Sequence, residues 1–340
     1  MHEMLDSIPL SLNKLKAVFD LSNNTEHEGN ELEFIFPFSI YHARWKELTI
    51  NDLRPQAIPT NGTLIATSYT QPDSACFTDG KAVLEEDLPS IIYLRKFIEA
   101  CNKRNIKVLL TYLPYPAPAT EVAAANAIDD FAQELGVNYI NFFDVNVVDF
   151  DVDMADANSH LNISGASKLT NYLGKYISEH YSIADHRGEL KYKWMDELFA
   201  EFCDYEVALL NQQTYLHSYL PLLRNDRYAC LVVLEGGTSI YENEITLKAL
   251  ENIYISGELN QLQYAAKAGL PYMFYINNVS GQLIEFSGND IPFNLSTDVG
   301  SLMPSVVGDI HCMIFSGSSG ELLFENYFYS MANGAFIRGK

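Results

Sequence analysis

Positive charge is scarce in this chain: 22 Lys and Arg stand against 44 Asp and Glu, a formal net charge of −22 over 340 residues. A surface that acidic repels phosphate backbones, and no basic stripe interrupts it, so nucleic acid is excluded as a partner. Paired cysteines are lacking too. Cys76, Cys101, Cys203, Cys230 and Cys312 are scattered singly with no CxxC, which excludes a disulfide framework and a zinc site and leaves them as small hydrophobes. The longest apolar runs, such as "YACLVVL" (228–234), fall far short of the ~18 residues a membrane helix needs. The opening "MHEMLDSIPLSLNKLKAVFD" lacks a basic start followed by an apolar stretch, so it carries no signal-peptide pattern. No Gly-rich phosphate loop follows a strand, and no cofactor is implied. The acidic run "DVNVVDFDVDMAD" lacks the glycine and the closing glutamate of a calcium loop, so it reads as a solvated acidic loop and no metal is expected.

What is present is apolar and patterned. A content of 48% hydrophobic and 12% aromatic residues fills real cores, and the length exceeds the ~100–200 residues usual for one domain. From residue 88 a regular alternation sets in. "DLPSIIYLRKFIEACNKRN" carries Ile91, Leu94, Ile98 and Cys101 at helical spacing, with Asp87 and Pro89 as start signals. "IKVLLTYL" (106–113) predicts a buried strand, "PATEVAAANAIDDFAQELG" a helix stopped at Gly136, and "VNYINFFD" (137–144) a second buried strand. A further helix holds Leu169, Leu173, Tyr176 and Ile177 on one face, with Ser164 as its N-cap. Helix, strand, helix, strand, helix predicts an α/β fold with a partial doubly wound parallel sheet.

The first 85 residues are less regular. "SLNKLKAVFD" and "SIYHARWKEL" read as short helices, "NGTLIATSYTQPDS" as extended chain or loop, and no clean buried strand precedes residue 105. After a polar connector, residues 194–224 read as one or two helices, and "RYACLVVLEGG" begins a strand-rich region that runs to the end. Two of its hairpins, "INNVSGQLIEF" (276–286) and "FSGSSGELLFE" (315–325), share a Ser-Gly tight turn. The expected organisation is therefore an α/β domain over 1–187, a helical connector over 188–225 and a mostly antiparallel β domain over 226–340.

Open α/β sheets build their sites beyond the carboxyl ends of the strands. Two such ends are "TYLPYP" (111–116), which contains Tyr112, and the Asp-rich loop "FFDVNVVDFDVDMADANSH" (142–160) that runs into His160. A histidine there is placed to take a proton from a nucleophilic hydroxyl, with a carboxylate fixing its tautomer. On chemistry alone, capping or orienting the following helix explains it equally well.

"DANSHLNISGASKLT" (156–170), taken with "IKVLLTYLPYP" and "VNYINFFD", resembles the closing half of an SGNH (GDSL-like) hydrolase domain, closest to the cell-envelope members related to polysaccharide O-acetylation. That resemblance implies a flavodoxin-like sheet, His160 as the catalytic base and Asp156 as its partner. The superfamily usually places the acid three residues before the histidine, where this chain has Ala157; Asp156 lies four before, and Asp153 stays open as an alternative. "FPFSIYHARWKEL" (36–48) and "DHRGELKYKW" (185–194) resemble flanking segments of the same group. On the first of these, Tyr41, His42, Arg44 and Trp45 are candidates, with Tyr112, for lining a carbohydrate or acyl pocket; the polar and buried faces of one helix account for them as well. The resemblance implies an acylated polysaccharide or other ester as substrate and, for such proteins, an extracytoplasmic location; the pattern of this chain assigns no compartment.

The serine is the missing piece. An SGNH domain opens with a strand ending in a Gly-Asp-Ser-like turn, and no such block is present. Ser7 in "MLDSIPL" follows an aspartate, but no apolar strand precedes it. The expectation is an SGNH-type esterase or O-acyltransferase-like chain that starts late and lacks its nucleophile. The alternative is a non-catalytic binding or scaffold module on the same truncated domain. A sheet without its first strands would expose an unpaired edge, which predicts low stability or self-association.

Overall fold

The computed structural model describes residues 11–22, 65–72, 77–305 and 307–339. Contacts divide the chain into two units, Met1–Asn61 and Gly62–Lys340. In the first, helix α1 spans Leu12–Ser22, and Ser11 Oγ accepts the Lys14 N–H at 3.2 Å, which satisfies one orphan donor of the first turn. The second stretch expected to be helical before residue 50, "SIYHARWKEL", lies outside the described residues.

The second unit begins its regular structure with α2 (Pro89–Asn102), β1 (Leu109–Tyr112), α3 (Ala119–Glu134) and β2 (Asn138–Asn141). Pro89 sits at the helix start, where its missing N–H costs nothing. Gly136, at φ +65°, turns the chain out of α3. β1 and β2 pair in parallel, Leu109 opposite Asn138 and Tyr112 opposite Asn141. Ile91 and Ile98 of α2 and Phe131 of α3 pack together with Leu110 and Val137.

Both strands depart from the sequence expectation. They are four residues long, and β1 is half-exposed where a buried strand was expected. Among the described residues β1 pairs only with β2, and none of them adds a strand to its other edge. β2 ends early because the Asn141 side chain accepts the Phe143 N–H and starts the short helix α4 (Phe142–Val145).

Helix α5 (Ile163–His180) follows the Asp-rich loop. Its N-cap is Asn162, whose Oδ1 accepts the Gly165 N–H at 3.1 Å. The expected cap, Ser164, instead lies inside the first turn and is fully buried. Helices α6 (Lys193–Gln212) and α7 (Leu216–Leu223) then lead into the large sheet. Among the described residues no helix is long and apolar enough to cross a membrane.

The large sheet holds β3 (Tyr228–Leu234), β4 (Tyr272–Asn277), β5 (Gln282–Ser287), β8 (Ile310–Ser316), β9 (Leu322–Ser330) and β10 (Phe336–Arg338). Its order is β10-β9-β8-β3-β4-β5, and every neighbouring pair is antiparallel. A hairpin of β6 (Leu295–Thr297) and β7 (Gly300–Leu302) stands apart. Every residue of β3 and β4 is buried. Alternation sends Cys230, Val232, Phe274 and Cys312 into one core with Tyr219, Leu220 and Leu250. Leu231, Val233, Met273 and Tyr275 face the other side, under Leu295 and Leu302 of the hairpin.

This region is less purely β than its composition implied. It also contains α8 (Glu244–Glu251) and α9 (Leu262–Ala268). Asn243 caps α8 through the Thr246 N–H at 2.9 Å, and Gly269, at φ +63°, closes α9. The architecture is thus mixed α/β, with a small parallel sheet and a six-stranded antiparallel one. Cys101, Cys230 and Cys312 are buried and Cys203 half-buried, all as free thiols; Cys76 lies outside the described residues.

Candidate functional site

The Asp-rich loop after α4 is a folded structure organised around one buried carboxylate. Asp153 has no exposed surface. Its Oδ2 accepts the Asp149 N–H at 2.8 Å and the Lys168 ammonium at 2.5 Å. Its Oδ1 accepts the Ser164 hydroxyl at 2.8 Å and the Asn252 amide at 3.2 Å. A carboxylate removed from water needs such a complete set of donors. Burial draws the Lys168 ammonium below its usual range, and Asp153 opposes that shift. Gly165 allows the close approach of helix and loop, since a Cβ there would stand 2.6 Å from the Asp153 carbonyl oxygen.

Three further attachments fix the loop. Lys248, on α8, reaches Asp149 at 3.1 Å and also binds Asp151. Asn162 Nδ2 donates to the Val152 carbonyl at 2.8 Å and to the Ser68 carbonyl at 3.2 Å. Val152 itself joins the core beneath the large sheet. The acidic side chains at 149, 151 and 153 thus have cationic partners within the fold, and the expected solvated loop is an anchored one. Among the described residues no group of histidines, cysteines and carboxylates is arranged to hold a metal.

From this base the chain makes a small hairpin. Met154 bridges Leu161, and the Ala155 N–H donates to the His160 carbonyl at 2.7 Å. At its tip, Asp156 Oδ1 accepts the N–H groups of Asn158, Ser159 and His160 at 2.9, 2.8 and 3.2 Å. Asp156 Oδ2 meets His160 Nδ1 at 2.5 Å. The Ser159 N–H first, then the His160 ring and the Asn158 N–H, hold the Asp156 carboxyl far below the usual carboxylate range. A carboxylate fixed in its ionised form selects the Nδ1–H tautomer of the ring and leaves Nε2 as an acceptor. The His160 side chain is 78% exposed, and among the described residues no hydroxyl is bonded to Nε2.

The residues singled out from sequence are distributed as follows. His160 and Asp156 are in contact. Asp153, the alternative partner, commits both oxygens elsewhere. Tyr112 lies at the end of β1, its ring 5.6 Å from that of Phe143 and 6.4 Å from that of Tyr115; it makes no hydrogen bond or ring contact with His160 or Asp156. Tyr41, His42, Arg44, Trp45 and Ser7 lie outside the described residues.

A second histidine–acid pair escaped the sequence reading. His311 is buried, its Nε2 3.0 Å from Glu325 Oε1 and its Nδ1 3.1 Å from Ser305 Oγ. The inventory matches a triad, but the geometry does not. Nδ1 also lies 3.0 Å from the carbonyl oxygen of Ser305, an obligate acceptor that competes with the serine hydroxyl for that nitrogen. The ring is stacked on Tyr327 at 4.4 Å. This pair is a lock between β8, β9 and the preceding loop. The only hint of it in the sequence was a lone histidine inside an apolar strand.

Comparison of the chain with protein-family models, curated proteins and solved structures finds no match in any of the three.

Proposed function

We propose that the chain is an SGNH-type esterase or O-acyltransferase-like protein directed at acylated cell-surface carbohydrate, built on a flavodoxin-like layer, and that His160 and Asp156 are the proton-handling half of its site. The observation that carries this reading is the 2.5 Å contact between His160 Nδ1 and Asp156 Oδ2, with the ring otherwise open to solvent. The resemblance of "DANSHLNISGASKLT" to the closing block of that superfamily points the same way. In this scheme Nε2 accepts the proton of a hydroxyl as its oxygen attacks the ester carbonyl, then returns it to the departing alcohol. Asp156 stays ionised throughout and stabilises the imidazolium.

The scheme needs a nucleophile. Since no hydroxyl meets Nε2 among the described residues, the chain by itself is proposed to be inactive in ester chemistry. The same observation favours a second reading, a non-catalytic binding or scaffold module in which Asp156 merely closes the hairpin tip. Labelling of the purified chain with a serine-reactive fluorophosphonate, mapped by peptide mass with His160→Ala as control, separates the alternatives. One labelled serine, lost in the variant, demonstrates a complete triad. A folded sample that takes no label has no working nucleophile, which leaves the scaffold reading.

A further inference from the structure

A cleft of about 400 Å³ opens between α5, α6 and the turn that joins α7 to β3. Cations are rare in this chain, with 22 in 340 residues, yet Lys168, Arg224 and Arg227 all line this one cavity. Two of them are matched. Arg227 binds the buried Glu206 and lies over the Phe199 ring at 5.8 Å. Lys168 donates to Asp153 at 2.5 Å.

Arg224 is different. Its Nη1 donates to the carbonyl oxygens of Asn252 at 2.5 Å and Tyr254 at 3.3 Å, which uses both hydrogens of that nitrogen. Among the described residues no carboxylate hydrogen-bonds to it, and none accepts from its Nη2 or Nε. Burial draws the guanidinium below its usual range, and the charge of Asp153 only opposes that shift in part. Asp153 thus stands behind two cations at once, and the one that it bonds directly is Lys168. Asp226 also lines the cavity, but it is exposed and its charge is solvated. The rest of the wall is mixed: Ile163, Ala166, Phe199 and Phe202 give it an apolar side, and Asn162, Ser167, Thr170, Asn171 and Asn225 a polar one.

A guanidinium with an open edge suits a planar oxyanion, which it can hold through two parallel N–H donors. The cavity falls within the ~300–1,000 Å³ common for small-molecule sites, and it offers both an apolar side and hydrogen-bonding groups. We infer that this cleft binds a small amphipathic carboxylate, with the carboxylate group on Arg224 and the apolar body against Phe199 and Ala166. The inference is independent of the His160–Asp156 pair and stands or falls without it.

Calorimetric titration of the full chain with benzoate, its neutral analogue benzamide and inorganic phosphate tests the assignment. Benzoate should bind one to one, at least tenfold more tightly than benzamide. Arg224→Gln should weaken benzoate at least tenfold, and nuclear Overhauser contacts should run from the benzoate ring protons to Phe199 and Ala166. Equal affinity for benzamide, or an Arg224→Gln variant that binds like the parent, would overturn the inference. Displacement of benzoate by equimolar phosphate would overturn it too, by showing a site for inorganic oxyanions. Should Arg224→Gln fail to fold, Phe199→Ala decides, because that ring is 61% exposed and its loss leaves the core intact. A several-fold loss of benzoate affinity with unchanged phosphate response supports the assignment, and unchanged benzoate affinity rejects it.

Discussion

The two sheets of this protein differ in how much they bury. In the six-stranded sheet, β3 and β4 have neighbours on both edges and cover on both faces, and all their residues are buried. In the parallel pair, β1 is half-exposed along its length and β2 is buried only at Ile140 and Asn141. Both were legible as apolar runs, yet the same kind of run meets different surroundings. Burial of an apolar side chain is worth roughly 1.5–3 kcal/mol only when the rest of the fold removes it from water. The antiparallel sheet is therefore the stable body of the Gly62–Lys340 unit. The Asp-rich loop is held to it by Lys248, Asn252 and Val152, while the hairpin tip with His160 remains at the surface.

The comparison can be broken most directly in the core. Phe274→Ala, at a site with no exposed surface, should cost about 3–5 kcal/mol in denaturant unfolding. Leu110→Ala, in the half-exposed β1, should cost about half as much or less by the same scale. Equal losses would show that the parallel pair is as thoroughly covered as the large sheet.

The next largest effect belongs to the loop. Asp153→Asn leaves the Lys168 ammonium, 14% exposed, without its charge partner. Removing one member of a buried pair typically costs about 3–5 kcal/mol, so thermal unfolding should shift down strongly. A double variant, Asp153→Asn with Lys168→Met, should recover part of the loss, which a chevron or melting series would show.

Gly165→Ala should have a smaller effect. Its Cβ would collide with the backbone carbonyl of Asp153 at 2.6 Å, and backbone does not move aside as a flexible side chain does. A loss of about 1–3 kcal/mol is expected, with nitrogen-15 shift changes concentrated at 149–165 and little change across β3 and β4.

The smallest effect on stability is expected at Asp156, on the exposed tip. Its folded-state pKa lies below the unfolded value of about 3.9, so its contribution is fully present above that value and is lost as pH falls through the folded pKa. Asp156→Ala should therefore differ little from the parent at strongly acid pH and more at neutral pH. The His160 ring should at the same time lose its Nδ1–H preference in proton–nitrogen-15 spectra, without change at Phe274.

The sequence carried much of this. Helical spacing at Ile91, Ile98 and Cys101, the glycine stop at 136 and the tight turns ending in Gly281 and Gly320 all rest on local chemistry, and they occur as elements or turns in the structure. The Asp156–His160 contact was also accessible, because a separation of four residues around a turn is a local matter. Other features had no local signal. Asn162 displaced Ser164 as the cap because the serine hydroxyl was drawn to a buried carboxylate 11 residues back. Helices α8 and α9 were masked by the strand-rich composition around them. His311 meets its acid 14 residues away, across a strand pair, and the fourfold coordination of Asp153 joins groups as far apart as residue 252.

By itself, then, the sequence determined the acidic balance, the helices and strands between residues 88 and 180, the glycine turns and the proximity of one histidine to one carboxylate, since these follow from composition and from neighbours a few residues apart. Only the tertiary structure decided which apolar runs lose contact with water, which aspartate is buried as a structural hub and which stands at the surface, and which arginine is bonded to backbone carbonyls. Those outcomes depend on desolvation and on partners brought in from distant parts of the chain, and no window of sequence contains both members of such a pair.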